Sequence, residues 1–188
     1  GAAGGNASIY FSECNSSLGG ISISNSIGFF LQGNFTDCYV INGEFNSTSY
    51  GIYVIGNGLT TQQYGNNDLL ITSPVCDVFT LAGIRFDNIS KFGSISVNGG
   101  YCAPAAVTTA VAGLYFTDSL GQVSVTDFQT ICNTSSTCAG ISAANSANIE
   151  TKTQIIDTNT TAISLLNVTN SRFLDHITNY GNTTGNNV

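Results

Sequence analysis

Apolar and polar residues alternate in short segments along the chain, and each segment ends in Asn or Asp. The recurring phrase consists of a small residue, Ile or Leu, any residue, an apolar residue, any residue, and Asn or Asp. Its copies lie at 20–25, 51–57, 83–88, 113–118, 140–145 and 162–167. The copy at 51–57 has one extra residue before the Asn. Alternation with a period of two places every second side chain on one buried face. The pattern therefore predicts a series of short β-strands.

The residues that flank each strand predict how the strands are joined. Glycine before the strand allows the chain to turn tightly into it. Asn or Asp after the strand tolerates a left-handed backbone and can bond its own main chain. A second, weaker strand follows several copies, as at 94–98, 123–127 and 172–175. Helices are not expected, because no 3.6-residue period is sustained and because Gly and β-branched residues are frequent.

The spacing of the phrase predicts a solenoid in which each copy forms one coil. The opening small residues lie at positions 20, 51, 83, 113, 140 and 162. Equivalent strands of successive coils then stack in parallel ladders. Six coils at roughly 4.8 Å each give a rod about 29 Å long. Turn residues at equivalent positions are expected to form a ladder of side-chain hydrogen bonds. The predicted members of this turn ladder are Asn25, Asn57, Asn88, Asp118, Asn145 and Asn167.

The G-I-x-φ-x-N phrase resembles the repeat of the right-handed parallel β-helix superfamily, the architecture of pectate lyases, polygalacturonases, phage tailspikes and many adhesins. The resemblance covers roughly residues 19–180 and concerns architecture. It implies an all-β fold, a right-handed parallel β-helix of about six rungs, in a single domain that spans residues 1–188. Residues 1–18 are expected to form an N-terminal strand, a cap or a donated strand. Residues 181–188 are expected to form a polar tail.

A β-sandwich is the alternative fold, because its strands and turns recur at similar intervals. Asn-Gly pairs begin at Asn42, Asn57 and Asn98 and fit this alternative. Asn-Gly favours two-residue hairpins, which join antiparallel strands. The direction in which neighbouring strands pair distinguishes the two folds.

Six cysteines predict an oxidised framework. A zinc site requires closely spaced cysteine pairs, often with histidine, whereas the only histidine here is His176. Six cysteines allow fifteen connectivities, and sequential pairing is the one that we expect. The first two pairs are each separated by about one coil, and this spacing is compatible with a disulfide. The predicted pairs are Cys14 with Cys38, Cys76 with Cys102, and Cys132 with Cys138. We expect no metal ion and no cofactor.

Sequons of the form N-x-S/T predict N-linked glycans and, together with the six cysteines, a secretory route. They lie at Asn6, Asn15, Asn34, Asn46, Asn88, Asn133, Asn159, Asn167 and Asn182. Glycans would hydrate a surface that has few charges, since only 8% of residues are charged. We therefore expect a secreted, extracellular or cell-surface glycoprotein. A viral or bacterial surface protein with many sequons by composition is the alternative.

The charge distribution argues against nucleic acid and against a membrane span. The chain has 11 acidic residues, and its four basic residues are scattered at Arg85, Lys91, Lys152 and Arg172. Nucleic-acid binding requires clustered cations that neutralise phosphates. The longest weakly polar run, 103–116, is too short to cross a bilayer. We expect no nucleic-acid partner and no transmembrane segment.

The sequence contains no recognisable catalytic motif. Glycosidases require two carboxylates about 5 to 9 Å apart. The candidate acids Asp87, Asp118, Asp127, Asp157 and Asp175 lie mainly in predicted turns, where a structural role is sufficient. The paired acids of the polygalacturonases and the Arg- and Asp-rich arrangement of the pectate lyases are missing. The resemblance to these enzymes therefore does not extend to their activity, and we expect no catalytic site.

A structural role is the leading functional prediction. A solenoid has unpaired backbone at both ends, which must be capped or must stack on another copy. Neither end shows an amphipathic capping helix, and segment 7–12 alternates like a strand that completes the first coil or pairs with a neighbour. Head-to-tail contact without closure produces a filament. We expect a self-assembling homopolymer, the subunit of a glycosylated extracellular filament or cell-surface sheath.

Two other function classes remain open. An adhesin or carbohydrate-binding module would use tyrosines that stack on sugar faces. The candidate tyrosines are Tyr10, Tyr50, Tyr53, Tyr64, Tyr101 and Tyr115. A polysaccharide-acting enzyme ranks third, because the chain lacks a cluster of acids.

Overall fold

The chain is a parallel β-solenoid of about five turns, as a computed structural model shows. The structure describes residues 15–16, 21–22, 27–33, 35–46, 49–60, 67–105, 110–132, 137–156 and 161–178. All regular structure in these ranges is β, and nearly all strand pairs are parallel. This confirms the predicted solenoid and excludes the β-sandwich, which would require antiparallel neighbours throughout.

A seven-stranded sheet is formed mainly by the opening strands of the successive coils. In spatial order its strands are β2 (Ile21–Ser22), β3 (Ile27–Gln32), β6 (Tyr50–Ile55), β9 (Ala82–Asp87), β12 (Ala112–Thr117), β14 (Ala139–Ala144) and β16 (Ile163–Leu166). All pairs from β3 to β16 are parallel and in register.

An eleven-stranded sheet contains the remaining strands of every coil. These strands are β1 (Asn15–Ser16), β4 (Phe35–Ile41), β5 (Glu44–Asn46), β7 (Asn67–Thr72), β8 (Val75–Phe79), β10 (Ser94–Asn98), β11 (Tyr101–Pro104), β13 (Gln122–Ile131), β15 (Ile149–Ile156), β17 (Arg172–Phe173) and β18 (His176–Thr178). The long strand β13 pairs with both β10 and β11. Two strands of the earlier coils therefore correspond to one continuous strand in the coils of β13 and β15, whereas the last coil has two strands again.

The core consists of apolar columns that run along the solenoid through in-register positions. One of these, the leucine–phenylalanine column, contains Leu31, Val54, Phe86, Phe116, Ala143 and Leu165. The rings of Phe86 and Phe116 stack with centroids 5.5 Å apart. The members from Leu31 to Phe116 are fully buried. The inward-facing positions that the alternation predicted are therefore confirmed for these strands.

The glycines that open the coils are required by close packing between the two sheets. A Cβ atom at Gly51 would overlap the side chain of Cys76, and a Cβ atom at Gly83 would overlap that of Cys102. Neither glycine has a positive φ. The prediction that these glycines form tight turns is therefore wrong, because their function is to let the facing strand approach.

The first coil begins later than the phrase predicted. Its opening strand is β3, in which Phe29 is aligned with Ile52 of the next coil. The predicted first copy at 20–25 contributes β2, which pairs with β3 in the antiparallel direction. Strand β1 likewise pairs antiparallel with β4. Because an antiparallel strand does not continue a parallel coil, β1 and β2 mark the N-terminal end of the solenoid.

The Asn-Gly pairs lie at bends that follow a strand, without hairpins. Asn42, between β4 and β5, has a φ of 53°, and Gly99, between β10 and β11, has a φ of 67°. The strands on either side of each bend belong to the same coil and pair with strands of other coils. The hairpin argument for a β-sandwich therefore does not apply to these bends.

Candidate functional site

Four residues of the predicted turn ladder lie at the corner that follows the seven-stranded sheet. Asn88, Asp118, Asn145 and Asn167 have φ values of 52°, 50°, 49° and 53°. The backbone N–H of Asn88 donates to the carbonyl of Thr117 in the next coil, at 3.0 Å. The side-chain amide of Asn167 donates to Oδ1 of Asn145, at 3.1 Å. Asn and Asp recur here because they tolerate the left-handed backbone.

Two predicted members of the ladder lie elsewhere. The ladder position of the second coil is occupied by Gly56, whose N–H donates to the carbonyl of Asp87 at 2.8 Å. Asn57 therefore lies one residue beyond the ladder, because its copy of the phrase has one extra residue. Asn25 lies outside the described residues.

The cysteines only partly follow the predicted pairing. Cys132 and Cys138 lie at disulfide distance, with Cα atoms 5.5 Å apart. Cys38 is disulfide-bonded, and Cys14, its predicted partner, lies outside the described residues.

Cys76 and Cys102 are buried thiols at paired positions of β8 and β11, so the disulfide predicted between them is not formed in this structure. Side chains at paired positions of parallel strands point the same way. Each of these two side chains consequently points at a glycine of the facing sheet, Gly51 or Gly83. Burial raises the pKa of the Cys102 thiol well above its usual value.

The structure places two of the sequons at exposed turns. Asn88 and Asn167 are both exposed. The hydroxyl residues of these sequons differ, because Ser90 is buried and Thr169 is exposed. Strands β1 and β5 contain two further sequon asparagines, Asn15 and Asn46. The sequons that lie outside the described residues are Asn6, Asn34, Asn133, Asn159 and Asn182.

Three of the candidate tyrosines meet on the outer face of the seven-stranded sheet, around Arg85. The guanidinium carbon of Arg85 lies 5.0 Å from the ring centroids of Tyr53 and Tyr115, and 5.5 Å from that of Tyr50. Tyr53 and Tyr115 occupy the positions before and after Arg85 in one outward-facing column. Such distances are those of cation–π contacts. Tyr101 lies on the other sheet, and Tyr10 and Tyr64 lie outside the described residues.

Asp87 connects this group through charged hydrogen bonds. Arg85 lies 2.8 Å from Asp87, and Arg85 also donates to the hydroxyl of Tyr50 at 3.0 Å. The hydroxyls of Tyr53, at 2.6 Å, and of Thr117 donate to the Asp87 carboxylate. Burial and the bond to Asp87 raise the pKa of Tyr53, so this phenol stays a donor. We call Tyr50, Tyr53, Arg85, Asp87 and Tyr115 the tyrosine–arginine cluster; it carries no net charge and presents half-buried aromatic rings.

Three of the other candidate acids, Asp118, Asp127 and Asp175, lie in the described part of the chain. Asp87 is aligned with Thr117, so Asp118 is a neighbour of Asn88 in the ladder. Asp127 is an exposed residue with a φ of 54°. Asp157 lies outside the described residues. Within these ranges no three His, Cys, Asp or Glu residues are grouped as metal ligands would be.

Asp175 connects the last coil to the preceding coil through hydrogen bonds. It accepts hydrogen bonds from the hydroxyl of Thr151, at 2.6 Å, and from the backbone N–H and hydroxyl of Thr153, at 2.7 and 2.8 Å. These bonds tie the bend between β17 and β18 to β15.

The last coil leaves its outer edge unpaired among the described residues. Strand β16 pairs only with β14, and β17 and β18 pair only with β15. Leu165, Leu166 and Leu174 are 49%, 62% and 51% exposed. A hollow of about 390 Å³ lies here, lined by Leu165, Asn167, Val168, Asn170, Ser171 and Phe173. We call β16, β17, β18 and these apolar side chains the open edge.

Sequence reasoning missed the Arg85–Asp87 pair, whereas it expected unpaired backbone at the ends of the solenoid. Arg85 stands at the outward position of its phrase, where other copies have Ser or Tyr, and this was the available signal.

Comparisons with protein-family models, with curated proteins and with solved structures find no match for this chain. The class of protein is therefore defined by architecture, which is that of a parallel β-solenoid. The described residues include no helix long and apolar enough to cross a membrane.

Proposed function

We propose that the chain is a structural, non-catalytic subunit of an extracellular, glycosylated assembly, and that it joins another subunit end to end through the open edge. The observation that carries this proposal is the outer backbone edge of β16, β17 and β18, which no other described strand pairs with, together with the exposed leucines beside it. An unpaired strand edge is a template for pairing with another chain. Leu165 belongs to a core column, so association would complete its burial and add hydrophobic stabilisation.

The proposed setting is a homopolymeric filament or cell-surface sheath. The sequons and the cysteine pair at disulfide distance support an extracellular location. Continued end-to-end growth requires a second open edge at the first coil, where β1 and β2 pair with parts of β4 and β3. These two strands would have to leave their positions before a filament could grow in both directions.

Light scattering and electron microscopy of the native, glycosylated protein test the proposal. We expect particles longer than one solenoid, and we expect the variant Leu165→Asp to dissociate them, because a buried charge opposes association. The matched control is Val111→Asp, at an exposed apolar residue on the side of the solenoid. Wild-type particles that remain single solenoids at all concentrations would contradict the proposal.

A carbohydrate-binding module is the second candidate, and the tyrosine–arginine cluster favours it. Tyr and Arg are enriched among residues that dominate binding energies, and three tyrosines surround Arg85 on one face. Glycan-array binding by the single solenoid tests this candidate. We expect Tyr115→Ala to weaken binding by about 30-fold, the effect of a hot spot of about 2 kcal/mol.

Tyr101→Ala is the matched control, because Tyr101 lies on the other sheet. Equal losses in both variants, or no glycan bound at all, would leave the cluster with a structural role. No specific observation favours the polysaccharide-acting enzyme.

A further inference from the structure

The two ends of the solenoid restrict how two copies can meet. At the N-terminal end, β2 pairs with β3 at Phe30 and Leu31, and β1 pairs with β4 at Phe35 and Thr36. At the other end, no described strand pairs with the outer edge of β16. The open edge of one molecule therefore finds an equally open surface on the open edge of another molecule, and not on the partly paired first coil.

We propose that two copies associate open edge to open edge as a two-fold symmetric pair, with β16 of one copy antiparallel to β16 of the other. This inference rests on the proposed function and specifies its partner as a second copy of this chain. A two-fold axis makes the same patch face itself. An axis perpendicular to the solenoid reverses the strand direction, so the new pairing between copies is antiparallel.

The composition of β16 and the turn after it suits contact with itself. Residues 161–171 contain no charged side chain, so β16 of one copy meets β16 of the other without like-charge repulsion. The exposed Arg172 of β17 lies outside this segment. The chain as a whole has a net charge of −7, which would oppose association through a charged face. Exposed Leu165, on the core-facing side of β16, would be covered by the partner.

The geometry of β16 selects one register. Residues directly opposite each other in an antiparallel pair have their side chains on the same face of the sheet. The two-fold axis must therefore lie between the two strands at the level of one residue, which then faces its own copy. Asn167 has a left-handed backbone and ends the strand. An axis at Ser164 keeps Asn167 out of the ladder and pairs Ile163 with the partner's Leu165, both on the core-facing side. Ser164, on the outer side, then faces the partner's Ser164.

Cysteine cross-linking tests this register. In the variant Ser164→Cys the new thiol faces its own copy, and copper-catalysed air oxidation should convert most of the protein into a covalent dimer. The control is Ser142→Cys, at the same outward position of the preceding coil, which should give at least tenfold less dimer. Cys76 and Cys102 are buried and do not compete in the folded protein.

The possible outcomes separate this inference from the proposed function. If light scattering shows assemblies but Ser164→Cys yields no more dimer than Ser142→Cys, the two-fold pair is wrong and end-to-end assembly survives. If the wild-type protein stays a single solenoid, both are wrong. A melting curve of each reduced variant that matches the wild type establishes that the fold is intact.

Discussion

Leu31 and Leu165 are the same residue type in the same core column, at opposite ends of the solenoid. Leu31 is fully buried in the first coil, where β2 pairs along β3. Leu165 is half exposed in the last coil, where the described residues supply no further strand. The column position is therefore not sufficient to bury a side chain. A neighbour along the solenoid axis is also required, and among the described strands the last coil has such a neighbour on one side only.

The largest expected effect comes from truncating these two leucines. Leu31→Ala removes methyl groups from a closed core and should lower the free energy of unfolding by about 2–5 kcal/mol. Leu165→Ala removes a side chain that is already half in water, so about 1 kcal/mol or less is expected in the single solenoid. Chemical denaturation at low protein concentration measures both. Equal losses would mean that the two ends are equally closed, which contradicts the comparison.

An intermediate effect is expected from Asp175, which holds the last coil together. Asp175→Ala leaves the buried hydroxyl of Thr151 without its acceptor, at a cost of about 1–3 kcal/mol. Because coils of a solenoid contact mainly their neighbours, the loss should be local. Hydrogen exchange should accelerate in β17 and β18 before it changes in β3 and β4.

Glu150→Ala is the control for Asp175→Ala, because the Glu150 side chain forms an exposed ion pair with Arg172 at 4.0 Å. Such pairs contribute about 0–1 kcal/mol. Faster exchange at both ends of the solenoid in Asp175→Ala would show that the effect is global, and it would remove the argument for a separable last coil.

The smallest effect is expected at Asp68, near the N-terminal end. Burial raises the pKa of Asp68, although a hydrogen bond from the backbone N–H of Ser94 opposes this, and nearby Asp37 adds to the increase. When the pKa of a carboxyl is higher in the folded state than in the unfolded state, the folded protein becomes more stable as the pH falls through the folded-state pKa. Acidification from pH 7 to about pH 4 should therefore stabilise the wild type relative to Asp68→Asn.

Melting temperatures of the wild type and of Asp68→Asn at both pH values measure this effect. At pH 7 we expect Asp68→Asn to be at least as stable as the wild type, because the neutral amide can still accept from Ser94. A variant that loses stability at pH 7 would show that the charged carboxylate is favoured at this position.

Local chemistry was sufficient for the strands and the turns. Alternating apolar residues identified the inward-facing positions of β9 and β12, and Asn88 and Asp118 marked left-handed turns. Both features depend on a residue and its immediate neighbours in the chain. The role of Gly83 was predicted incorrectly, because the reason for a glycine there is the side chain of Cys102 on the facing sheet.

The tyrosine–arginine cluster depends on register between coils. Tyr50 and Arg85 are 35 residues apart in the sequence, and the coils differ in length, so spacing alone did not align them. The turn ladder shows the same difficulty, since one extra residue moves Asn57 out of line and places Gly56 in the ladder.

The sequence by itself determined the repeating strands and the polarity of their two faces, because alternation with a period of two is a local property. Only the tertiary structure decided which segments pair in parallel and which reverse direction. Residues 20–25 carry the same phrase as the coils, yet Ile21 and Ser22 form an antiparallel strand. The physical reason is that an alternating strand buries the same face in either direction, so the pattern does not specify the direction of pairing. The difference between the two ends of this solenoid follows from that choice.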